Sequence, residues 1–330
     1  MIINTLGFIL CGAIIFFAGR KLSFYGDLLS ELTGMGKAWI GLILMAAVTS
    51  LPELMVGISS VKIVGSADLA VGDILGSCAF NLGILSLMDV FTPKNNPLLA
   101  NTSKSHILIG GFGIILLALV GLGLFLDDDI VLLPFLGWTS ISFFLVYLIA
   151  VRVIFRYQNN QTITIEEEKT ETHFSLKQVI YRYSLFASII IVAALALPYF
   201  VEHIAEELQL GKTFAGTLLL AASTSLPEIA VSYAAIKMGS TDMAIGNLLG
   251  SNIFNILILF LDDIFYTQGH LLKDASDLNL ISVFFVLIMT GVAIIGFIFP
   301  SQKKKLWLSW DTLAIFAMYV VNMFLIYYLN

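Results

Sequence analysis

The sequence predicts an all-α membrane protein of ten transmembrane helices, arranged as two inverted repeats of five. Three observations carry that prediction. Of the 330 residues, 58% are hydrophobic and 12% charged, and the mean hydropathy of +0.95 is far above that of soluble domains. Apolar stretches of about twenty residues, the length a helix needs to cross hydrocarbon, recur along the whole chain. The third observation is a message written twice. AAVTSLPELMVGI at 46–58 returns as AASTSLPEIAVSY at 221–233, and VGDILGSCAFNLGIL at 71–85 returns as IGNLLGSNIFNILIL at 245–259.

The predicted spans fall at 3–19, 38–61, 69–91, 106–126, 130–151, 177–199, 213–236, 243–261, 279–300 and 308–329. The first has no positive residue before it and Arg20-Lys21 after it, so it reads as a retained helix rather than a cleaved signal. The second and third spans carry the first copy of the repeated message, about 38–91, and the seventh and eighth carry the second, about 213–261. Between the halves, 1–152 and 177–330, lies the long hydrophilic segment 153–176, which reads as a flexible cytoplasmic linker too short to hold a regulatory domain. An odd number of spans per half forces the second half to enter the membrane upside down relative to the first. Inverted repeats of this kind are a recurring plan of secondary transporters, with ion sites where the repeats meet.

The charges orient this arrangement. With the N-terminus outside, fourteen of the seventeen Lys and Arg residues fall on the cytoplasmic side, and only Lys62, Lys212 and Lys273 remain external. That bias predicts external N- and C-termini in a plasma (inner) membrane protein. The acidic groups Asp127–Asp129, Glu202/Glu206/Glu207 and Asp262/Asp263 then face outward, and the net charge of −6 adds little by itself. Cys11 and Cys78 both lie in predicted spans and support no disulfide framework. His106, His173, His203 and His270 lie in or near predicted loops, lack the spacing of a soft-metal site, and read as solvated.

An ionisable residue deep in a bilayer costs roughly 2.5–3.5 kcal/mol on insertion scales and is usually functional. Glu53 and Glu228 bear that cost at matched positions, which points to an ion site shared by the two halves. On a continuous helix, Thr49 and Ser50 share a face with Glu53. Pro52 removes the partner of the Val48 carbonyl and loosens neighbours such as those of Ala46 and Thr49. A carboxylate, two hydroxyls and loosened carbonyls are hard oxygen donors of the kind Ca²⁺ and Na⁺ prefer. Thr224, Ser225 and Glu228 repeat the set. Ser77 and Asn81, and likewise Ser251 and Asn255, stand four apart and add a hydroxyl and an amide oxygen to one helix face. Gly76 and Gly250 are expected to admit a neighbouring backbone. Two carboxylates are neutralised by one divalent or two monovalent cations, a physical basis for competition between Ca²⁺ and Na⁺. Taken singly, a Ser, Thr or Pro in a membrane helix is usually structural; the duplicated Glu is not.

These motifs resemble the two alpha-repeats of the sodium/calcium exchanger family, within the calcium/cation antiporter superfamily, and the resemblance spans nearly the whole chain. It implies that Thr49, Ser50, Glu53, Ser77 and Asn81, with Thr224, Ser225, Glu228, Ser251 and Asn255, are the ion ligands. Backbone carbonyls of Ala46 and Ala221 join them. It also implies alternating access, with the first and sixth helices sliding over a fixed core. Ca²⁺ and Na⁺ are then transported substrates, the bilayer is the chain's partner, and neither a cofactor, a nucleic acid nor an obligatory protein partner is expected. Two positions depart from the family or from the internal repeat. Asn255 stands where some prokaryotic and potassium-dependent members have an acid, which argues against a K⁺ requirement. Asp73 stands where the second repeat has Asn247, and is either a third carboxylate near the pathway or a protonated or water-exposed residue at the helix end.

Other readings stay open. A proton/calcium exchanger of the same superfamily would use Glu53 and Glu228 as proton carriers. A channel suits duplicated inverted halves less well than alternation does. Gly72-Asp73 resembles the Gly-Asp of intramembrane aspartyl proteases, but no second membrane aspartate has suitable context, so no enzyme is expected.

Overall fold

The computed structural model describes residues 2–100, 102–126, 131–133, 136–162, 174–207, 222–304 and 306–329. The chain forms two compact units, Met1–Pro52 with Arg156–Asn247 and Glu53–Phe155 with Leu248–Asn330. Neither unit coincides with a half of the sequence; each takes a stretch from both.

In the first unit, α1 (Ile2–Thr33) runs 32 residues, well past the predicted end at 19. No breaker interrupts it before Gly34, whose φ of 70° suits a left-handed helix stop. The chain continues as α2 (Lys37–Thr49), which includes a π-helical stretch at Ile40–Met45. The unit also holds α7 (Leu176–Glu207), α8 (Leu226–Lys237) and the start of α9 (Thr241–Phe265). α1 packs on α7 and α8. Small residues set the spacing: a Cβ on Gly19 would lie 3.2 Å from Ala230 Cβ, and Ser23 Oγ donates to the Val231 carbonyl at 2.9 Å. The start of α9 meets α2 backbone to backbone, since a Cβ on Gly246 would lie 2.5 Å from the Ala38 oxygen and one on Gly41 2.8 Å from the Asn247 nitrogen. The close approach expected at Gly76 is not made there, where the Cβ direction is open.

The second unit contains most of α3 (Leu51–Val64), then α4 (Ala67–Met88), α5 (Ser105–Phe125), a short antiparallel pair β1 (Val131–Leu133) and β2 (Leu136–Gly137), and α6 (Trp138–Thr162) as far as Phe155. The remainder of α9, α10 (Asn279–Ile298) and α11 (Trp310–Leu329) complete it. The β pair occupies the start of the predicted fifth span, so that helix starts later than expected and runs on into the predicted linker.

Among the described residues, eight helices are long and apolar enough to span a membrane, and the bent pair α2–α3 makes a ninth. The start of the predicted seventh span, 213–221 of 213–236, lies outside the described residues, Ala221 included, as do Asp127–Asp129 and Lys212; α8 makes up most of its described remainder. Burial separates the helices by role. The apolar windows of α4 and α9, which carry the Gly-Ser-x-x-Phe-Asn motifs, are 72% and 78% buried, whereas those of α1 and α11 are 22% and 17% buried. The outer faces are nonetheless apolar, with Phe17, Val192, Phe284 and Phe324 exposed. Water would not tolerate such surfaces; lipid does.

Several residues expected in solvent are inside. His106 is fully buried against the Phe297 ring. Asp262 and Asp263 lie within α9 at 0% and 1% exposure rather than in an acidic external loop. Lys304, counted above as a loop cation, is buried in an ion pair with Asp89, Nζ to Oδ1 3.1 Å.

Asp89 and Asp263 hold matched posts. Asp89, just past α4, takes the Leu98 N–H at 2.7 Å on Oδ1, and the Ser309 N–H at 2.8 Å and Thr312 hydroxyl at 2.8 Å on Oδ2. It thereby caps α11. Asp263, 174 residues later, takes the Leu271 N–H at 2.9 Å on Oδ1. Its Oδ2 accepts the Ser140 hydroxyl at 2.6 Å and the Gly137 N–H at 3.4 Å, at the start of α6. Each carboxylate supplies the acceptor that a helix N-terminus lacks. An aspartate of the first half caps the last helix of the second, and its counterpart does the reverse.

Candidate ion-binding residues

The Thr-Ser-Leu-Pro-Glu segment breaks its helix rather than bending a continuous one. Ser50 ends α2 with φ −89° and ψ 7°, and α3 restarts at Leu51 at an angle of 41°. Ser225 precedes α8 with φ −86° and ψ 6°, nearly the same conformation. Pro52 and Pro227 therefore sit in the first turn of a new helix, where a missing N–H costs nothing. The expectation that Pro52 strips a partner from mid-helix is corrected accordingly. Glu53 and Glu228 fall in that same first turn, where the free N–H groups and the helix dipole favour negative charge. The sequence thus places each buried carboxylate at the positive end of a half-helix.

In the first unit, Thr49, Ser50, Thr224, Ser225 and Glu228 are all at 0% exposure. Ser50 Oγ donates to Glu228 Oε1 at 3.4 Å, which joins one copy of the motif to the other. The Ala46 carbonyl accepts from the Ser50 N–H at 2.9 Å and from Thr49 Oγ1 at 3.4 Å, so it is engaged rather than loosened. Thr49 Oγ1 also lies 3.3 Å from Asn247 Oδ1, and Asn247 Nδ2 donates to Ser232 Oγ at 3.0 Å.

In the second unit, Glu53, Ser77, Asn81, Ser251 and Asn255 are at most 1% exposed. Among the described residues, the Ser77 hydroxyl and the Asn81 amide oxygen make no hydrogen bond. Asn252, one residue beyond Ser251, ties α9 to α4: its Oδ1 accepts from Asn81 Nδ2 at 3.1 Å and its Nδ2 donates to the Cys78 carbonyl at 3.1 Å. Cys78 is the repeat counterpart of Asn252, and its thiol lies 3.8 Å from the Asn252 carbonyl. The two cysteines are free and buried.

The buried groups are thus oxygen donors around single carboxylates, suited to a hard cation and offering neither a nucleophile–base pair nor a soft-metal set. Asn247 and Asn252 join this environment without being among the ligands the sequence predicts. Asn247 and Asn252 were visible as polar residues within the repeated motif, but their partners lie on other helices.

The sequence profile described as sodium/calcium exchanger protein matches residues 3–155 and 181–328, nearly the whole chain. The chain belongs to this family. It is a multi-pass membrane transporter of the sodium/calcium exchanger superfamily. Among relatives, the inner membrane protein YrbG of Escherichia coli is 27% identical over 291 residues, 83% of this chain and 85% of that protein. The sodium/calcium exchanger MaX1 of Methanosarcina acetivorans is 32% identical over 151 residues, 44% of this chain and 41% of that protein. Among solved structures, the sodium-calcium exchanger NCX_Mj soaked with 10 mM Na⁺ superposes with a TM-score of 0.73 at 21% identity, covering 97% of this chain and 98% of that one, which shows a shared fold.

Proposed function

We propose that this transporter exchanges Na⁺ for Ca²⁺ by alternating access, as a secondary antiporter of ten helices in two inverted repeats. The observation that carries the reading is the duplicated helix break: Ser50 and Ser225 share one backbone conformation, and each delivers a buried glutamate to the first turn of the helix that follows. The ions take their ligands from Thr49, Ser50, Glu53, Ser77 and Asn81, and from Thr224, Ser225, Glu228, Ser251 and Asn255, with the carbonyls of Ala46 and Ala221. Two negative charges among neutral oxygens match one Ca²⁺ or two Na⁺, so each ion displaces the other without leaving bare charge in a medium where bare charge is costly. The reciprocal capping by Asp89 and Asp263 supports an inverted pair of halves, and the packing of α1 along α7 supports these two as the elements that move. NCX_Mj and MaX1, both sodium/calcium exchangers by name, favour Na⁺ over H⁺ as the driving ion.

The test is ⁴⁵Ca²⁺ uptake into proteoliposomes loaded with Na⁺, K⁺ or H⁺. An outward Na⁺ gradient drives uptake with no need for K⁺, because Asn81 and Asn255 leave the ligand set without a further acid. Uptake driven equally well by a pH gradient in Na⁺-free medium would instead assign the protein as a proton/calcium exchanger, and a strict K⁺ requirement would refute the argument from Asn255.

The topology we propose puts both termini outside and the segment joining α6 to α7 in the cytoplasm, from the bias of Lys and Arg. Cysteines introduced at Gln161 and Asn330 then label from opposite sides of the membrane. Labelling of both from one side would sink it.

A further inference from the structure

Asp262 and Asp73 break the internal repeat, and they do so at one level of the second unit. In the first unit the repeat places Ser232 and Asn247 side by side, joined by a 3.0 Å hydrogen bond. Their counterparts, at offsets of 175 and 174, are Gly57 and Asp73. A neutral bonded pair is replaced by a residue with no side chain and a carboxylate. The space at Gly57 is taken by Asp262, whose own repeat counterpart is Met88. A Cβ on Gly57 would lie 2.7 Å from Asp262 Oδ1 and closer still to Oδ2, so the carboxylate is aimed at this helix face.

Among the described residues no hydrogen bond compensates that carboxylate: Asp262 is at 0% exposure and both of its oxygens lack a partner there. Asp73 also has a buried oxygen without a hydrogen bond among the described residues, and it stands as far from the turn at Gly65 as Gly57, the residue Asp262 faces. Two like charges, one fully buried and one partly buried, with three of their four oxygens lacking a hydrogen bond among the described residues, call for a cation between them. The level is also informative. Gly57 is one helical turn from Glu53, and Asp73 is one turn from Ser77, on the same faces. Gly57 and Asp73 each stand eight residues from the turn at Gly65, so both lie at a similar remove from it along their helices. Glu53 and Ser77 lie a turn deeper.

We propose that Asp73 and Asp262 form a second site for a divalent cation, one turn from Glu53 on the side of the Gly65 turn, where Ca²⁺ is held by the two carboxylates and water before it reaches the deeper ligands. Carboxylate oxygens are hard donors, and Ca²⁺ accepts water for the rest of its six to eight ligands. Naming this a staging site rests on the exchange reading above; the existence of the site does not.

Equilibrium binding of ⁴⁵Ca²⁺ to the purified full chain tests it. In the E53Q/E228Q double variant, which lacks the deeper charges, a residual Ca²⁺ site remains. Adding Asp262→Asn or Asp73→Asn weakens that residual binding by at least about tenfold, since affinity follows the ligand charge count. Asp262 surrenders no hydrogen bond when changed to Asn, and the Asp73 variant gives a second, independent reading. Absence of a residual site in E53Q/E228Q, or a residual site indifferent to both Asn changes, overturns the proposal. Continued transport by E53Q/E228Q would overturn the exchange reading instead and leave the count of binding sites to decide this one.

Discussion

Glu228→Gln, and equally Glu53→Gln, is expected to cut Na⁺-driven Ca²⁺ uptake by at least about 100-fold, a loss of about 2.7 kcal/mol of interaction with the ion, while leaving the fold intact. Glu228 is at 0% exposure and Glu53 at 1%, each in the first turn of a half-helix. Gln keeps the size of the side chain and one acceptor oxygen, so packing and the 3.4 Å contact from Ser50 Oγ to Glu228 are preserved. What it removes is the charge, and no neutral oxygen restores that to a Ca²⁺ ion. Burying an amide is also less costly than burying a carboxylate, so the melting temperature in detergent should hold or rise as transport disappears. Thr49→Ala and Ser225→Ala should lower uptake less, by roughly three- to tenfold, because water can replace one neutral oxygen among several. Near-normal uptake by both Gln variants at matched expression would rule out this ligand set. A parallel loss of uptake and of melting temperature would mark the glutamates as structural.

The repeated motifs were legible in the sequence because their chemistry is local: Thr, Ser, Pro and Glu keep their order wherever the helix points. The helix break was not. Pro52 read as a kink within a continuous span, whereas the backbone at Ser50 turns two residues earlier and hands Pro52 the first turn of a fresh helix. Partners on distant segments were equally hidden. Asn252 looks like one more polar residue beside Ser251, and only the approach of α4 reveals that it bonds both Asn81 and the Cys78 backbone. Charges near helix ends misled most. Asp262, Asp263, Lys304 and His106 sit where a hydropathy pattern changes to polar, so the sequence assigns them to loops and water. In the fold, the ends of α4 and α9 are covered by other segments and these groups go inside. The pairing of Asp89 with Asp263 was present in the sequence as a 174-residue offset, yet its meaning depends on Ser309 and Ser140, which no local pattern connects to them.

Asp89→Ala is expected to destabilise the protein by about 3–5 kcal/mol, the usual cost of breaking a buried ion pair by removing one partner. Lys304→Met should cost much less. The asymmetry follows from how the two groups are satisfied. The Asp89 carboxylate has Lys304 Nζ at 3.1 Å, but also the Leu98 N–H at 2.7 Å, the Thr92 hydroxyl at 3.0 Å, the Ser309 N–H at 2.8 Å and hydroxyl at 2.9 Å, and the Thr312 hydroxyl at 2.8 Å. Losing the lysine leaves that carboxylate fully hydrogen-bonded, and Met fills the apolar path of the lysine stem. Losing the carboxylate strands an ammonium whose side chain is 1% exposed, with backbone oxygens of Asp89 and Thr92 as its remaining partners. It also removes the acceptor that caps α11, leaving buried donors unpaired. The double change Asp89→Ala with Lys304→Met should recover part of the loss, because the stranded charge goes with its partner while the cap stays broken. Thermal unfolding of the purified variants in one detergent gives the order: Lys304→Met nearest the parent, the double variant next, Asp89→Ala lowest. A Lys304→Met protein as unstable as Asp89→Ala would show that the ion pair, and not the helix cap, holds this end of α4 to α11.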